Sequence, residues 1–527
     1  MKKLILALGL IFAGHQFNAQ EKPAVDSTFL KNWMHSDFEA TGVYGVNTLK
    51  AKEFLKQNNR KPVDIVVGVL DSGVEYFHED LKNNIWTNPK EKEGNQKDDD
   101  KNGFVDDIHG WNFVTDKNGN SYDDDSYELT RQYAKLEKLF REQGLHIKNQ
   151  KLYNEYLRLK KDYYTSIYRF EQVKHLAQSR LDFYQPRLKA LAEALGEQPL
   201  SKSVVDNFSS ENNLALEGLF IFKEVPQKDW EGKTISNVIS SYLKRYQSQL
   251  DYAEKQLTKS YGLDFNPKAG VMGNHYGNND VKGLSDDHGT HVAGIIAAEW
   301  DNGKGMHGTG GGNYVKIMGV RVVPDGDERD EDIANGIRYA VDNGAKILNM
   351  SFGKSYDDNH KLIVDAFKYA EKKNVLIVKA AGNSNEDIDV RIHYPMTLIN
   401  DKQFSPTTIT VGASTRHADK LKARFSNYGK KSVDVFAPGM EIYSSVPGLS
   451  KYAFFNGTSM ASPAVAGVAA LVWSHYPKLS AAEIKTILVS SVNKNDQLKD
   501  LSVYGGVVDA YKAVQKAEEL YKKKKLK

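Results

Sequence analysis

The stretch Val66-Val67-Gly68-Val69-Leu70-Asp71-Ser72-Gly73 decides the fold class. It is an unbroken apolar run closed by a carboxylate and two small turn residues. That is the pattern of a strand buried on both faces, as in parallel sheets covered by helices. Ile317 to Val323 and Val375 to Val378 have the same character. Amphipathic helices lie between such runs, and one spans Glu331 to Asp342, with Asp330 as its cap and Gly344 at its end. Strands alternating with helices predict an α/β domain, a parallel sheet with helices on both faces. Catalytic and binding groups of open α/β sheets collect at the carboxyl ends of strands, where Asp71 stands. Taken alone, an Asp after an apolar strand is equally an ordinary turn residue.

The alternation breaks off from about Asn120 to Leu263. Here Leu152, Tyr156, Leu159, Tyr163, Phe170, Val173, Ala177 and Leu181 recur at helical spacings, and so do Ile235, Val238, Tyr242, Tyr246, Leu250, Ala253 and Leu257. A lone helix cannot bury such a stripe, so at least two long helices are expected to pair as an antiparallel hairpin or small bundle. The aromatic content of the stripes reads as core packing rather than as a ligand platform.

At 527 residues the chain exceeds one ordinary core, and two packed units with terminal segments are expected. With 40% hydrophobic and 26% charged residues it has enough apolar surface for a core, which excludes disorder throughout. A formal charge of +3 provides no general field for nucleic acid, so no such partner is expected. The one dense basic run, Lys522 to Lys527, reads as a solvated helix end. Lys2 and Lys3 before the apolar Leu4 to Ala13 have the form of a secretory signal, with cleavage near Ala19. That apolar run is too short to span a bilayer and no second one follows, so the expected product is exported, periplasmic or extracellular, without stable membrane insertion. The chain has no cysteine, which excludes a disulfide scaffold, a lipoprotein and a thiol enzyme. The expected layout is a signal peptide (1–19), an N-terminal segment (20–60), a domain split into 61–119 and 264–517 by the helical insertion (120–263), and a basic tail (518–527).

Two further segments combine a reactive side chain with small neighbours. His288-Gly289-Thr290-His291-Val292-Ala293-Gly294-Ile295 opens an apolar helix, and its two histidines lack the Glu of a zinc-protease helix, so His291 reads as a packed helix residue. Asn456-Gly457-Thr458-Ser459-Met460-Ala461-Ser462-Pro463 sets Ser459 at a sharp turn before a helix of Ala, Val and Gly, whose N-terminal amides can face a developing anion. For any one such turn, Thr458 or Ser462 acting as an N-cap is the plain alternative. A serine hydroxyl is a weak nucleophile at neutral pH, and acyl transfer needs an adjacent base plus a carboxylate that fixes the base's tautomer. Ser459, His288 and Asp71 supply those three roles.

On these blocks the chain resembles the subtilisin-like serine peptidases, or subtilases, in which Asp, His and Ser follow in that order. The resemblance runs from about Gly42 to Ala517, the insertion excepted. It implies a subtilisin-like α/β fold carrying the helical insertion, and a serine endopeptidase that hydrolyses polypeptides through an acyl-enzyme, with no cofactor for the chemistry. Val378-Lys379-Ala380-Ala381-Gly382-Asn383 matches the family segment whose Asn side chain stabilises the oxyanion beside the nucleophile's own N–H. Asn349-Met350-Ser351-Phe352-Gly353 resembles the substrate-binding edge, where an extended peptide pairs as an added strand. Ser351, Phe352, Gly353, Ala381 and Gly382 are therefore the implied substrate-binding residues. Tyr504 to Ala510 resembles the closing strand and helix, so no further domain is expected.

Asp98, Asp100 and Asn102 alternate before Gly103, and Asp106 and Asp107 follow. This is the first half of a calcium loop, although position twelve is His109 instead of Glu, and a solvated acidic turn is the alternative. Asp80 matches a family position that ligates calcium, with no companion loop evident. The acidic run from Asp325 to Asp332 reads as charge placed at a helix N-terminus.

Two features depart from the family. Asp71 and His288 stand 217 residues apart, a gap tolerable only because an insertion with adjoining ends costs little closure entropy. The insertion is expected near the cleft, restricting or recruiting substrates. The segment before the Asp71 strand is also short, so folding without a large cleaved pro-domain is expected. Two rivals remain at this stage: a catalytically silent protein that binds through the helical insertion, and a calcium-dependent structural or adhesion protein.

Overall fold

The computed structural model describes residues 27–143, 149–271, 273–399 and 402–525, so the expected signal segment lies outside the described residues. The principal sheet has nine strands: β1 (Ile65–Asp71), β2 (Gly110–Asn112), β3 (Val315–Arg321), β4 (Ile347–Met350), β5 (Leu376–Ala380), β6 (Thr408–Ser414), β7 (Val435–Pro438), β8 (Val492–Lys494) and β9 (Gly506–Val508). Their order is β8-β9-β7-β6-β5-β4-β1-β3-β2. Every neighbouring pair is parallel except β8 with β9. The expected α/β class is the observed one. β3 begins and ends two residues earlier than the apolar run suggests; it stops at Arg321 because Val322 and Val323 leave the ladder and donate their N–H groups to the Asp71 carbonyl at 3.0 and 3.2 Å.

Eight helices matter for the site: α1 (Glu128–Gln143), α2 (Gln150–Leu195), α3 (Asn213–Phe222), α4 (Ile235–Lys255), α5 (Asp287–Ala297), α6 (Asp330–Asp342), α7 (His360–Lys372) and α8 (Thr458–His475). The period of two along β1 sends Val67 and Val69 into one core, with Val292 and Ile295 of α5 and Val465 and Val468 of α8. Leu70 enters the opposite core, with Ile333 and Ile337 of α6 and Phe367 of α7. Asp71 is two residues beyond Val69, so it emerges on the face that α5 and α8 cover. Asp330 is not the cap of α6. It lies inside the first turn, and its carboxylate is held by Lys354 Nζ and the Asn359 N–H, both at 2.7 Å.

The stripes between β2 and α5 form a hairpin. α2 has 46 residues, which at 1.5 Å per residue is about 69 Å. Its far end, Leu188 and Leu191, packs with Ile221 and Phe222 of α3 and with Ile235 and Val238 at the start of α4. Nearer the sheet, Ala177 and Leu181 meet Tyr246 and Leu250, so the two long helices run antiparallel. At the root, Leu129, Tyr133, Leu159 and Tyr163 form a separate small core. The excursion leaves and returns at one place, since Tyr127 N–H donates to Ser260 O at 2.9 Å and Thr130 Oγ1 to the same oxygen at 2.8 Å.

The described part of the N-terminal segment is docked on the body. Trp33 and Met34 are buried in the α5/α8 core, and Arg60 makes a two-pronged ion pair with Glu518 at 2.7 and 2.8 Å. Glu518 lies in a helix running from Ala510 to Lys525, so the described part of the basic tail is regular helix. No described helix is long and apolar enough to cross a membrane.

Small residues let α8 lie flat inside the core. A Cβ on Gly467 would stand 1.9 Å from Thr309 Oγ1 and 2.9 Å from the Gly310 nitrogen. Gly467→Ala is expected to cost about 1–3 kcal/mol through overpacking, which thermal or urea unfolding of the purified variant measures directly.

Candidate active site

The ends of β1, β4 and β5 and the N-termini of α5 and α8 converge on one cleft of about 920 Å³. Asp71 closes β1 and is 1% exposed; its Oδ1 accepts from the Ser72 N–H at 2.8 Å and from His288 Nδ1 at 2.6 Å. His288 sits in the first turn of α5. The next residue has to be Gly, because a Cβ on Gly289 would stand 2.0 Å from the Gly73 carbonyl oxygen. Without that close approach the imidazole could not reach the end of β1.

Burial draws the His288 pKa down, but the Asp71 charge and hydrogen bond outweigh it, and the net shift is upward. His291, one turn on, faces the interior. Its Nε2 lies 3.1 Å from the carbonyl oxygens of Ile442 and Ala453, and burial pushes its pKa down to about 3. It is a packed helix residue.

Ser459 follows the first residue of α8 and lines the same cleft as His288. Its Oγ donates to the Ser351 carbonyl at 2.9 Å, and Ser351 Oγ donates back to the Ser459 carbonyl at 2.8 Å. Thr458 does not cap α8 with its side chain; its N–H and Oγ1 donate to Asn383 Oδ1 at 2.8 and 3.0 Å. With the oxygen end of the amide committed, the Nδ2 end of Asn383 is the part available to the cleft. Ser462 is also not a cap, and its Oγ donates to Asn349 Oδ1 at 2.8 Å.

Ser351, Phe352, Gly353 and Gly382 line the cleft. Ala381 does not, because the alternation of β5 turns it into a small core with Ile388 and Leu421. The opposite wall was not foreseen residue by residue: Asp162, Thr165 and Ser166 of α2 and Tyr261 at the hairpin root face the cleft. Tyr356 Oη donates to Asp162 Oδ2 at 2.8 Å, and the buried Lys354 binds Glu128 of α1 at 3.2 Å, tying the inserted helices to the segment after Gly353. The acidic run before α6 is only partly helix-terminal charge. Asp325 pairs with Lys255, Asp330 with Lys354 and Asp332 with Lys268.

Of the expected metal ligands, Asp98 and Asp100 come together, and they do so with Glu91; oxygens of these three lie within 4.8 Å of one another. Glu91 was missed because it precedes the alternating segment. Asp106 and Asp107 lie outside that group. Asp106 accepts from the Gln96 N–H at 2.8 Å, and Asn102 donates Nδ2 to Asp107 Oδ2 at 3.0 Å. Asp107 also accepts from Tyr339 Oη at 2.7 Å, and burial pushes its pKa up to about 6. Asp80 lies apart, against a loop that the sequence reading overlooked. Asn302 Nδ2 donates to its Oδ1 at 2.6 Å, its Oδ2 is buried without a hydrogen-bond partner among the described residues, and burial lifts its pKa to about 6.

The model of the Subtilase family matches residues 63–128 and 239–506. The cell wall-associated protease of Bacillus subtilis (strain 168) is 40% identical over 239 residues, 45% of this chain and 24% of that protein. Thermitase of Thermoactinomyces vulgaris is 40% identical over 231 residues, 43% of this chain and 75% of thermitase. Subtilisin DY of Bacillus licheniformis is 36% identical over 248 residues, 46% of this chain and 82% of that protein. The chain thus spans about a quarter of the first of these relatives and most of the other two.

The Asp71 contact makes a directional statement about the imidazole. NMR titration of His288 is expected to give a pKa above the ordinary histidine value of about 6.5, and Asp71→Asn is expected to lower it.

Proposed function

The chain belongs to the Subtilase family, and from that premise we propose that it is an exported serine endopeptidase acting on polypeptides. The observation that carries the reading is the 2.6 Å contact between His288 Nδ1 and Asp71 in a cleft that Ser459 also lines. In this reading Ser459 Oγ gives up its bond to the Ser351 carbonyl, turns to His288 Nε2 and attacks the scissile carbonyl carbon. His288 takes the proton and returns it to the leaving amine, while Asp71 holds the Nδ1–H tautomer and balances the imidazolium. Catalytic hydrogen bonds of this kind are commonly incomplete until substrate arrives. The tetrahedral oxyanion is met by Asn383 Nδ2 and the Ser459 N–H at the start of α8. Water then repeats the sequence on the acyl-enzyme.

An extended substrate pairs with the segment around Ser351 to Gly353, and the α2 wall narrows access from the other side. The inserted hairpin thereby restricts which polypeptides enter.

Calcium is the proposed structural ion. The donor set at Glu91, Asp98 and Asp100 is all carboxylate oxygen, as a hard cation prefers. Asp80 with Asn302 offers a second set, and the unpartnered, buried Oδ2 supports that assignment. At either place the ion would stiffen a loop and takes no part in the acyl transfer.

A fluorescent phosphonyl probe is expected to label Ser459 and to fail on Ser459→Ala; absence of label on the folded wild type would remove the reading. Asn383→Ala is expected to lose about 10²–10³ in turnover, the magnitude measured for this donor in the same family. For the ion, a calcium chelator is expected to lower the unfolding temperature and added calcium to restore it, with Glu91→Gln blunting the response in calorimetry.

A further inference from the structure

Next to Ser459 the cleft has a recess whose floor no catalytic role accounts for. β4 and β5 are neighbours in parallel register, Met350 beside Lys379, so the segments that follow them, 351–354 and 380–383, run out side by side into the cleft. The ring of His393 closes the gap between them. A Cβ on Gly353 would stand 3.2 Å from His393 Nδ1, and one on Gly382 would stand 3.0 Å from His393 Cε1. The ring packs against both glycines, although a Cβ there would first meet Tyr394 O at 2.7 Å and Asn427 Nδ2 at 2.4 Å. Because Ser459 and Asn383 border the same recess, the substrate side chain just before the cut bond is the one that enters it.

Behind the ring lies a second cavity of about 320 Å³, lined by His393, Lys379 and mostly apolar side chains such as Ile388, Ile392 and Met396. Lys379 is 3% exposed, and its Nζ donates to the carbonyl of the adjacent Ala380 at 3.2 Å. A buried ammonium normally has a carboxylate partner. Two carboxylates are near, and both are engaged elsewhere. Asp389 lines the cavity but accepts from the N–H groups of Lys431 and Ser432, each at 2.8 Å. Asp434 accepts from the Thr410 N–H at 2.8 Å and pairs with Lys485 at 3.3 Å. Burial pushes Lys379 down to about 8, with Asp434 only partly opposing it. His393 is pushed down to about 4, first by burial and then by the positive charges of Lys379 and Arg391. Arg391 stands at the cleft rim, bound to Glu386 at 2.7 Å. Lys379 is therefore the positive charge behind the floor of the recess, while other parts of the cleft carry Asp162, Asp287, Asp325, Asp327 and Glu328.

We infer that the recess floored by His393 and backed by Lys379 selects an acidic residue, glutamate or aspartate, immediately before the cut bond. The side-chain carboxylate accepts a hydrogen bond from the imidazole and supplies the negative charge that Lys379 lacks. A cationic side chain there meets Lys379 and Arg391 and is rejected, and a neutral one is taken without the electrostatic gain. This rests on the endopeptidase reading and narrows it from polypeptides in general to those with accessible acidic residues.

The test compares matched peptides that differ only in Glu, Gln, Leu or Lys before the cut bond. Wild type is expected to favour Glu over isosteric Gln by at least about 10-fold in kcat/KM, the scale of a buried charged contact, and to cleave the Lys peptide least. Lys379→Met and His393→Gln, prepared separately so that a folding failure of one leaves the other, are each expected to bring the Glu:Gln ratio towards unity. A wild-type ratio of one or below, with the Leu or Gln peptide cleaved, overturns the inference and leaves the endopeptidase reading standing. A high wild-type ratio unchanged in either folded variant overturns the assignment to this pocket. No cleavage of any peptide together with no phosphonyl labelling of Ser459 is the separate outcome that removes the endopeptidase reading itself.

Discussion

The contact between Asp71 and His288 ties together parts of the chain that lie 217 residues apart in sequence. One partner ends the β1 strand and the other opens α5, and between them the chain makes its long helical excursion. A strand buried on both faces fixes its last carboxylate rigidly, and a glycine beside the histidine brings a helix start within reach of it. The imidazole is then held by its Nδ1 side, so its other nitrogen has a defined direction. Ser459 lines the same cleft as that nitrogen's ring.

The sheet makes this economical. Because β1, β4 and β5 are adjacent and parallel, their carboxyl ends deliver Asp71, the Ser351 segment and Asn383 to one edge. α8 crosses the same face, packed mostly with small and branched residues, and presents Ser459 and its amide at its N-terminus. Thr458 links two of these pieces by bonding Asn383, so Ser459 and Asn383 share a mount. Lys379 lies within β5 and Asn383 three residues beyond its end, with Lys379 buried below the cleft and Asn383 lining it.

Much of this was legible before any coordinates, because each reactive residue carries its local signature: an apolar strand before Asp71, a small helix start after His288, a Gly-Thr turn before Ser459. What was not legible depends on partners distant in the chain. Asp330 looks like a helix cap until Lys354 claims it, and the hydrogen bonds that Asp107 accepts from Tyr339 and Asn102 come from partners the acidic pattern does not name. Ala381 sits in a cleft-lining motif but is turned inward by strand alternation. Glu91 and Asn302 join acidic groups only through loop geometry, and His393 reaches the Ser459 recess across a separate excursion of the chain. Periodicity and motif do not encode such meetings.

The stitched root of the inserted hairpin bears on how this protein can vary over evolutionary time. Where departure and return points are fastened to each other through Ser260, the catalytic body experiences the excursion as a single short bridge. Paired additions or deletions in the two long arms would change the reach of the rod by about 1.5 Å per residue and leave the sheet undisturbed. The rod is then an adjustable spacer, free to drift in length while the machinery at its base stays fixed.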